Sequence, residues 1–317
     1  MVHLIMRPHW PGSPIRRKLL FGAAHAKAPH GVEYQSLIWL TDLGERGDVI
    51  LRIALCVKRD LYGVIAAGAF MQNVGLSAAQ IKIFCSVKTR PAEENNIWLS
   101  LFKVLERDVP FDILLSGTPM HKANHPLAQP WEPLGDLRAD GGGAQLLAWR
   151  PDIVVSMRFS LIFPLRIIQA VPGGILNVHP GPLPGFRGLF APFWQAMAGE
   201  PDLVSTLHCV DAGIDTGPIL AEHRVARDER RSLMWHIADL YRGGAKLAAK
   251  VTAQYFQDRV PLLGRPQPEE GRYWSFPSER ELAAFQNSRM KLFCTNDYRA
   301  LLSEAFELPR SLNADST

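Results

Sequence analysis

Residues 174–188 read Gly-Ile-Leu-Asn-Val-His-Pro-Gly-Pro-Leu-Pro-Gly-Phe-Arg-Gly, and His208-Cys-Val-Asp211-Ala-Gly213-Ile-Asp215-Thr-Gly217-Pro-Ile219 comes further along. The apolar run through Val178 suits a strand buried on both faces of a parallel sheet. Side chains alternate across a strand, so Asn177 and His179 share a face. Pro180, Pro182 and Pro184 then stop the strand. This sets both side chains at a strand's carboxyl end, where open α/β sheets place ligands. Asp215, between Gly213 and Gly217, sits in a loop able to fold back over that end. Taken singly, each residue reads as a turn or a satisfied polar group. Together they supply an amide donor, a proton carrier and a base, the parts an acyl transfer needs.

Asn177-x-His179-Pro180 with Leu183-Pro184-x-x-Arg187-Gly188, followed by His208 and Asp211-x-Gly213-x-Asp215-x-Gly217-x-Ile219, resembles the folate-dependent formyltransferase family, which includes methionyl-tRNA, glycinamide ribonucleotide and sugar N-formyltransferases. The likeness is specific over roughly 150–225 and weaker over about 50–150. One departure stands out: Gly181-Pro182 occupies the place where family members usually carry Ser-Leu. The resemblance implies that Asn177, His179 and Asp215 are catalytic. It also implies a formyl donor, 10-formyltetrahydrofolate, and a primary amine acceptor. Asn177 and a protonated His179 would bond the developing oxyanion, each such donor contributing roughly 3–4 kcal/mol. Asp215 would keep His179 charged, as a carboxylate beside an imidazolium does. His208 is read either as support for Asp215 or as a polar strand residue bonding backbone.

The resemblance also assigns a pteridine cradle to Arg158, Phe159, Ser160, Leu161 and Ile162, which come after the apolar strand at 151–156. Val210, Asp211 and Gly213 complete it. Apolar walls with a few placed polar groups suit a flat heterocycle. Arg158 is read as meeting the donor's glutamate tail, the acceptor, or solvent.

Composition sets further bounds. The chain has 317 residues, with 35 Lys plus Arg against 31 Asp plus Glu. That small excess makes no case for nucleic acid as partner. The four cysteines (Cys56, Cys85, Cys209, Cys294) are widely spaced, which suggests buried thiols and no metal site. No apolar stretch approaches about 18 residues, so no membrane span is expected. Gly141-Gly-Gly143 lacks the Lys-Ser/Thr of a phosphate loop. Arg16-Arg-Lys resembles a twin-Arg export signal, but His25 and Lys27 interrupt the apolar stretch after it, and a cytoplasmic location is expected.

The fold class expected is α/β: a doubly wound, mostly parallel Rossmann-like sheet, as in the formyltransferases, with a small C-terminal extension. Residues 1–48 read as an N-terminal extension, 49–260 as the catalytic domain and 261–317 as the C-terminal extension. Strands are expected at 49–57, 81–87, 112–116 and 151–157. Helices are expected at 62–74, 93–107, 137–149, 191–198, 232–257 and 279–287, and a long loop over 117–138. Tyr273-Trp274-Ser-Phe276 reads as extended and able to stack on an acceptor or face a dimer, with core packing equally open. The short tail and modest charge point to a small-molecule acceptor: an amino sugar linked to a nucleotide, or an amino acid or peptide of secondary metabolism. A 10-formyltetrahydrofolate hydrolase and a non-catalytic binding protein of the same fold are the alternatives. A homodimer stays open.

Overall fold

The computed structural model describes residues 50–77, 79–114, 125–138, 140–258 and 262–307. The chain divides into two units, 1–44 and 45–317. The expected extension at 1–48 lies outside the described residues, and the architecture is that of the second unit.

The described residues begin with β1 (Leu51–Lys58), α1 (Leu61–Asn73) and β2 (Ala79–Ser86). Apart from Arg52, β1 is buried throughout, and its residues alternate between two apolar clusters. Ile53, Leu55 and Val57 face one; Ala54 and Cys56 face the other. A strand inside a sheet with both faces covered behaves in this way. Asp60 caps α1, its Oδ1 accepting the Gly63 N–H at 2.8 Å.

The helix expected at 93–107 is broken. Asn96 ends α2 (Pro91–Asn95) and caps α3 (Ile97–Lys103), accepting from the Trp98 and Leu99 amides. A π-helical stretch, Val104–Leu114, continues from α3. The strand expected at 112–116 is therefore a misreading where it is described: Asp112–Leu114 end that helical stretch. The third strand is β3 (Trp131–Pro133), within the span read as a loop. It is three residues long and sits at the sheet's edge, where a proline is tolerated.

Then come α4 (Asp140–Ala148), β4 (Ile153–Met157), the single turn α5 (Leu165–Ile168), β5 (Ile175–His179) and β6 (Arg187–Gly188). After them lie α6 (Ala191–Met197), β7 (Asp202–Cys209), β8 (Ile219–Ala226) and α7 (Leu233–Asp258). The seven-stranded sheet has the order β3-β2-β1-β4-β5-β7-β8. It is parallel from β3 through β5 and antiparallel at β7 and β8. This is the expected doubly wound α/β architecture.

The C-terminal segment carries β9 (Tyr273–Trp274), α8 (Glu279–Gln286) and α9 (Thr295–Phe306). β9 pairs in parallel with β6. Leu282, Phe285, Leu301 and Phe306 are buried in the same cluster as α1 and α7. Asp297 on α9 accepts from the Ser232 N–H at 2.6 Å, the Ser232 hydroxyl at 2.8 Å and Arg231 at 2.7 Å. The start of α7 is thereby tied to α9, and Ser232 Oγ also accepts from the Trp235 amide at 3.3 Å. Among the described residues, no helix is long and apolar enough to cross a membrane.

Candidate active site

Asn177 and His179 end β5, and Asn177 stands in register with His208 on antiparallel β7. Asn177 Nδ2 lies 3.1 Å from His208 Nε2, while His208 Nδ1 lies 2.8 Å from the Cys209 carbonyl. That carbonyl can only accept, so Nδ1 carries the hydrogen and Nε2 accepts one of the two Asn177 amide hydrogens. Protonating His208 would turn Nε2 into a donor toward Asp215 Oδ1, 3.7 Å away.

Asp215 reaches the strand end from the β7–β8 loop. Its φ of +55° is in the left-handed region that few non-glycine residues adopt. Gly217 lets the loop close: a Cβ there would stand 1.9 Å from the Cys209 carbonyl oxygen. Asp211 braces the same loop, its Oδ1 accepting from Thr216 Oγ1 at 2.6 Å and from the Gly213 N–H at 3.1 Å. Asp215 Oδ2 accepts the Gly188 N–H at 2.9 Å and faces His179 Nδ1 at 3.5 Å. Burial opposes the Asp215 charge. His179, His208 in its charged form and the Gly188 N–H together outweigh that and hold the carboxyl far below the usual carboxylate range.

His179 Nε2 lies 2.6 Å from the Phe186 carbonyl, so both ring nitrogens face oxygen acceptors. Gly181 permits this approach. A Cβ there would stand 2.8 Å from His179 Nε2, from the Phe186 oxygen and from the Ala191 Cβ. The Gly in place of the family's Ser thus fits the local packing of this chain.

These groups open onto a cavity of about 610 Å³. The sequence-predicted cradle residues line it as well: Arg158, Phe159, Ser160, Leu161 and Ile162 on one segment, Val210, Asp211 and Gly213 on another. Phe159 stacks on Phe163 with centroids 5.4 Å apart. Ser160 is fixed by Ser86 Oγ, which bonds its amide at 3.1 Å and its hydroxyl at 2.8 Å. Ile162 is exposed. All eleven sequence-predicted residues therefore border one cavity.

Arg158 turns inward. Its guanidinium donates to Asp60 Oδ2 at 3.1 Å and to Glu106 Oε2 at 2.5 Å. Burial works against the Arg158 charge, and Glu106 and Asp60 overcome it, holding the guanidinium well above its usual value. Burial also raises Glu106, to about 7, against the pull of Arg158. Sequence reading missed Asp60, Glu106 and the neighbouring Lys58–Glu93 pair at 2.7 Å. Their partners are distant in sequence, and no local motif marks them. It missed Tyr62 too, which lines the cavity and whose buried hydroxyl has no hydrogen-bond partner among the described residues. Among the described residues, no cluster of His, Cys, Asp or Glu is suited to a metal.

An amide, two imidazoles and a carboxylate thus converge on the carboxyl edge of a Rossmann-like sheet. Residues 118–239 match the family model described as formyl transferase. The methionyl-tRNA formyltransferase of Paracoccus denitrificans is 32% identical over 155 residues, covering 49% of this chain and 50% of the relative. That of Paramagnetospirillum magneticum is 31% identical over 155 residues, with the same coverage of both chains. A 4-N formyltransferase from Francisella tularensis superposes with a TM-score of 0.50 at 17% identity, covering 82% of this chain and 88% of that one; this likeness is one of fold. Over the matched stretch the chain is similar to formyltransferases. It spans about half the length of the curated relatives it matches.

Proposed function

We propose that the protein is an N-formyltransferase that moves a formyl group from 10-formyltetrahydrofolate to a primary amine of a small molecule. The observation that carries this reading is the convergence of Asn177, His179, His208 and Asp215 on the cavity wall, with His179 Nδ1 3.5 Å from Asp215 Oδ2. In this reading residues 49–260 form the catalytic domain and 261–317 an extension that helps wall the site.

The pteridine of the donor lies against Phe159–Ile162 and Val210–Gly213. The neutral amine attacks the formyl carbon, a C–N bond forms and an oxyanion develops. Asn177 has a second amide hydrogen beyond the one given to His208, and this bonds the oxyanion. His179 Nε2–H, held by the Phe186 carbonyl, turns to share that oxygen. The bond from carbon to the donor nitrogen then breaks. Asp215 and His179 carry the proton from the amine to that nitrogen.

The names of the curated relatives make an amine borne on methionyl-tRNA the competing acceptor. The test offers 10-formyltetrahydrofolate with amino sugars, amino acids, nucleotide-linked amino sugars and methionyl-tRNA, and follows tetrahydrofolate release. Release dependent on a small amine supports the proposal. Release only with the tRNA moves the acceptor to that class, and release without any amine makes the protein a hydrolase.

A further inference from the structure

The cavity straddles the sheet's carboxyl edge, and its two sides differ. Phe159, Leu161 and Val210 pack with the smaller apolar cluster, whereas Tyr62, Ile237 and Tyr241 belong to the larger one. With the donor ring on the first side, the amine comes in against the second.

On that second side each acid is already engaged. Glu93 gives Oε1 to Lys58 Nζ at 2.7 Å and Oε2 to the Arg90 backbone N–H at 2.8 Å. Asp60 and Glu106 both hold Arg158. Arg90 and Lys88 remain. Both line the cavity, and neither forms an ion pair among the described residues. Arg90 and Lys88 therefore stand on the cavity wall as cations without a carboxylate partner among the described residues. The Arg90 guanidinium is half-buried over the Phe276 ring, 5.7 Å from its centroid. Burial lowers its proton affinity, only partly offset by Glu93, yet a guanidinium stays charged at neutral pH. It is a fork of donors, oriented by an aromatic face, beside a cavity and short of an acceptor.

We infer that Arg90 is a specificity-determining residue that binds an anionic group of the acceptor, so the substrate amine also carries a carboxylate or a phosphate. Both groups match the planar fork of a guanidinium and can take two hydrogen bonds from it. Lys88, exposed at the rim, adds a point charge that favours the approach of such an anion. The inference rests on the acceptor role proposed above and extends it to the chemistry of the acceptor.

The test uses the full chain saturated with 5-formyltetrahydrofolate and titrated with ethanolamine, β-alanine and O-phosphoethanolamine, binding being read by ligand-observed NMR. β-Alanine, O-phosphoethanolamine or both should bind at least tenfold more tightly than ethanolamine, and which of them does so separates the carboxylate from the phosphate. Arg90→Gln should erase that preference and leave 5-formyltetrahydrofolate affinity unchanged; Arg90→Lys should restore part of it. Equal binding of the three amines, binding of none, or an unchanged ranking in Arg90→Gln overturns the inference. Failure of 5-formyltetrahydrofolate to bind would instead overturn the donor reading, and the ranking measured on the free protein would still decide the role of Arg90.

Discussion

Glu106 Oε2 and the Arg158 guanidinium are 52 residues apart in sequence and 2.5 Å apart in space. Glu106 is buried and raised from 4.5 to about 7. A carboxyl raised on folding favours the protonated native state. Its stabilising contribution is complete below about pH 4.5 and is lost as pH rises through about 7. Thermal midpoints measured across that window should therefore fall more steeply for the wild type than for Glu106→Gln. Equal slopes would show that Glu106 does not titrate there.

Asp215 has the opposite sign. Its depressed folded value stabilises the protein above the ordinary 3.8 and ceases to do so as pH falls through the folded value. Asp215→Asn should lower the melting temperature by a steady amount near neutrality, the gap narrowing only below 3.8. With the proton-carrying role proposed for it, the same substitution should also cut turnover by at least about 10²-fold. Wild-type turnover in this variant would remove Asp215 from the chemistry.

Asn177→Ala takes away the donor proposed for the oxyanion. Its kcat should fall about 10²–10³-fold, with a much smaller change in the donor KM. Near-UV circular dichroism would verify that the His208 side of the site keeps its packing. A change confined to KM would mean that Asn177 binds ground state and transition state alike.

Gly181→Ser would install the residue usual in the family. Here a Cβ would come within 2.8 Å of His179 Nε2 and the Phe186 oxygen, so the imidazole must move. We expect lower kcat than the wild type, although the motif is restored. An unchanged or raised kcat would show that the loop relaxes around the added atoms.

The convergence of the candidate site residues was legible because they sit in short local motifs. Alternation along β5 puts Asn177 and His179 on one face, and the glycines around Asp215 announce a loop that must close tightly. The inner strands were equally readable, since burial on both faces leaves an uninterrupted apolar run. What the sequence concealed depends on distant partners. Phe111 through Leu114 have the apolar content of a strand, yet they extend a helical stretch that packs toward α1 and α9. Trp131-Glu-Pro133 is too short to show a period and becomes a strand through β2. Arg158 looked free to meet a ligand because Asp60, its partner on the α1 cap, is 98 residues away.

The order of the strands bears on how this protein can be shortened. The family match covers 118–239, but β1 and β2 precede it, and α7 runs on to Asp258. Excising the matched stretch would strip β4 of its β1 neighbour, detach β3 from the sheet and cut α7 within its second turn. It would also discard Asp297, the clamp on Ser232. A minimal fragment for expression therefore has to be drawn around the sheet, from β1 through α9, and not around the matched motif.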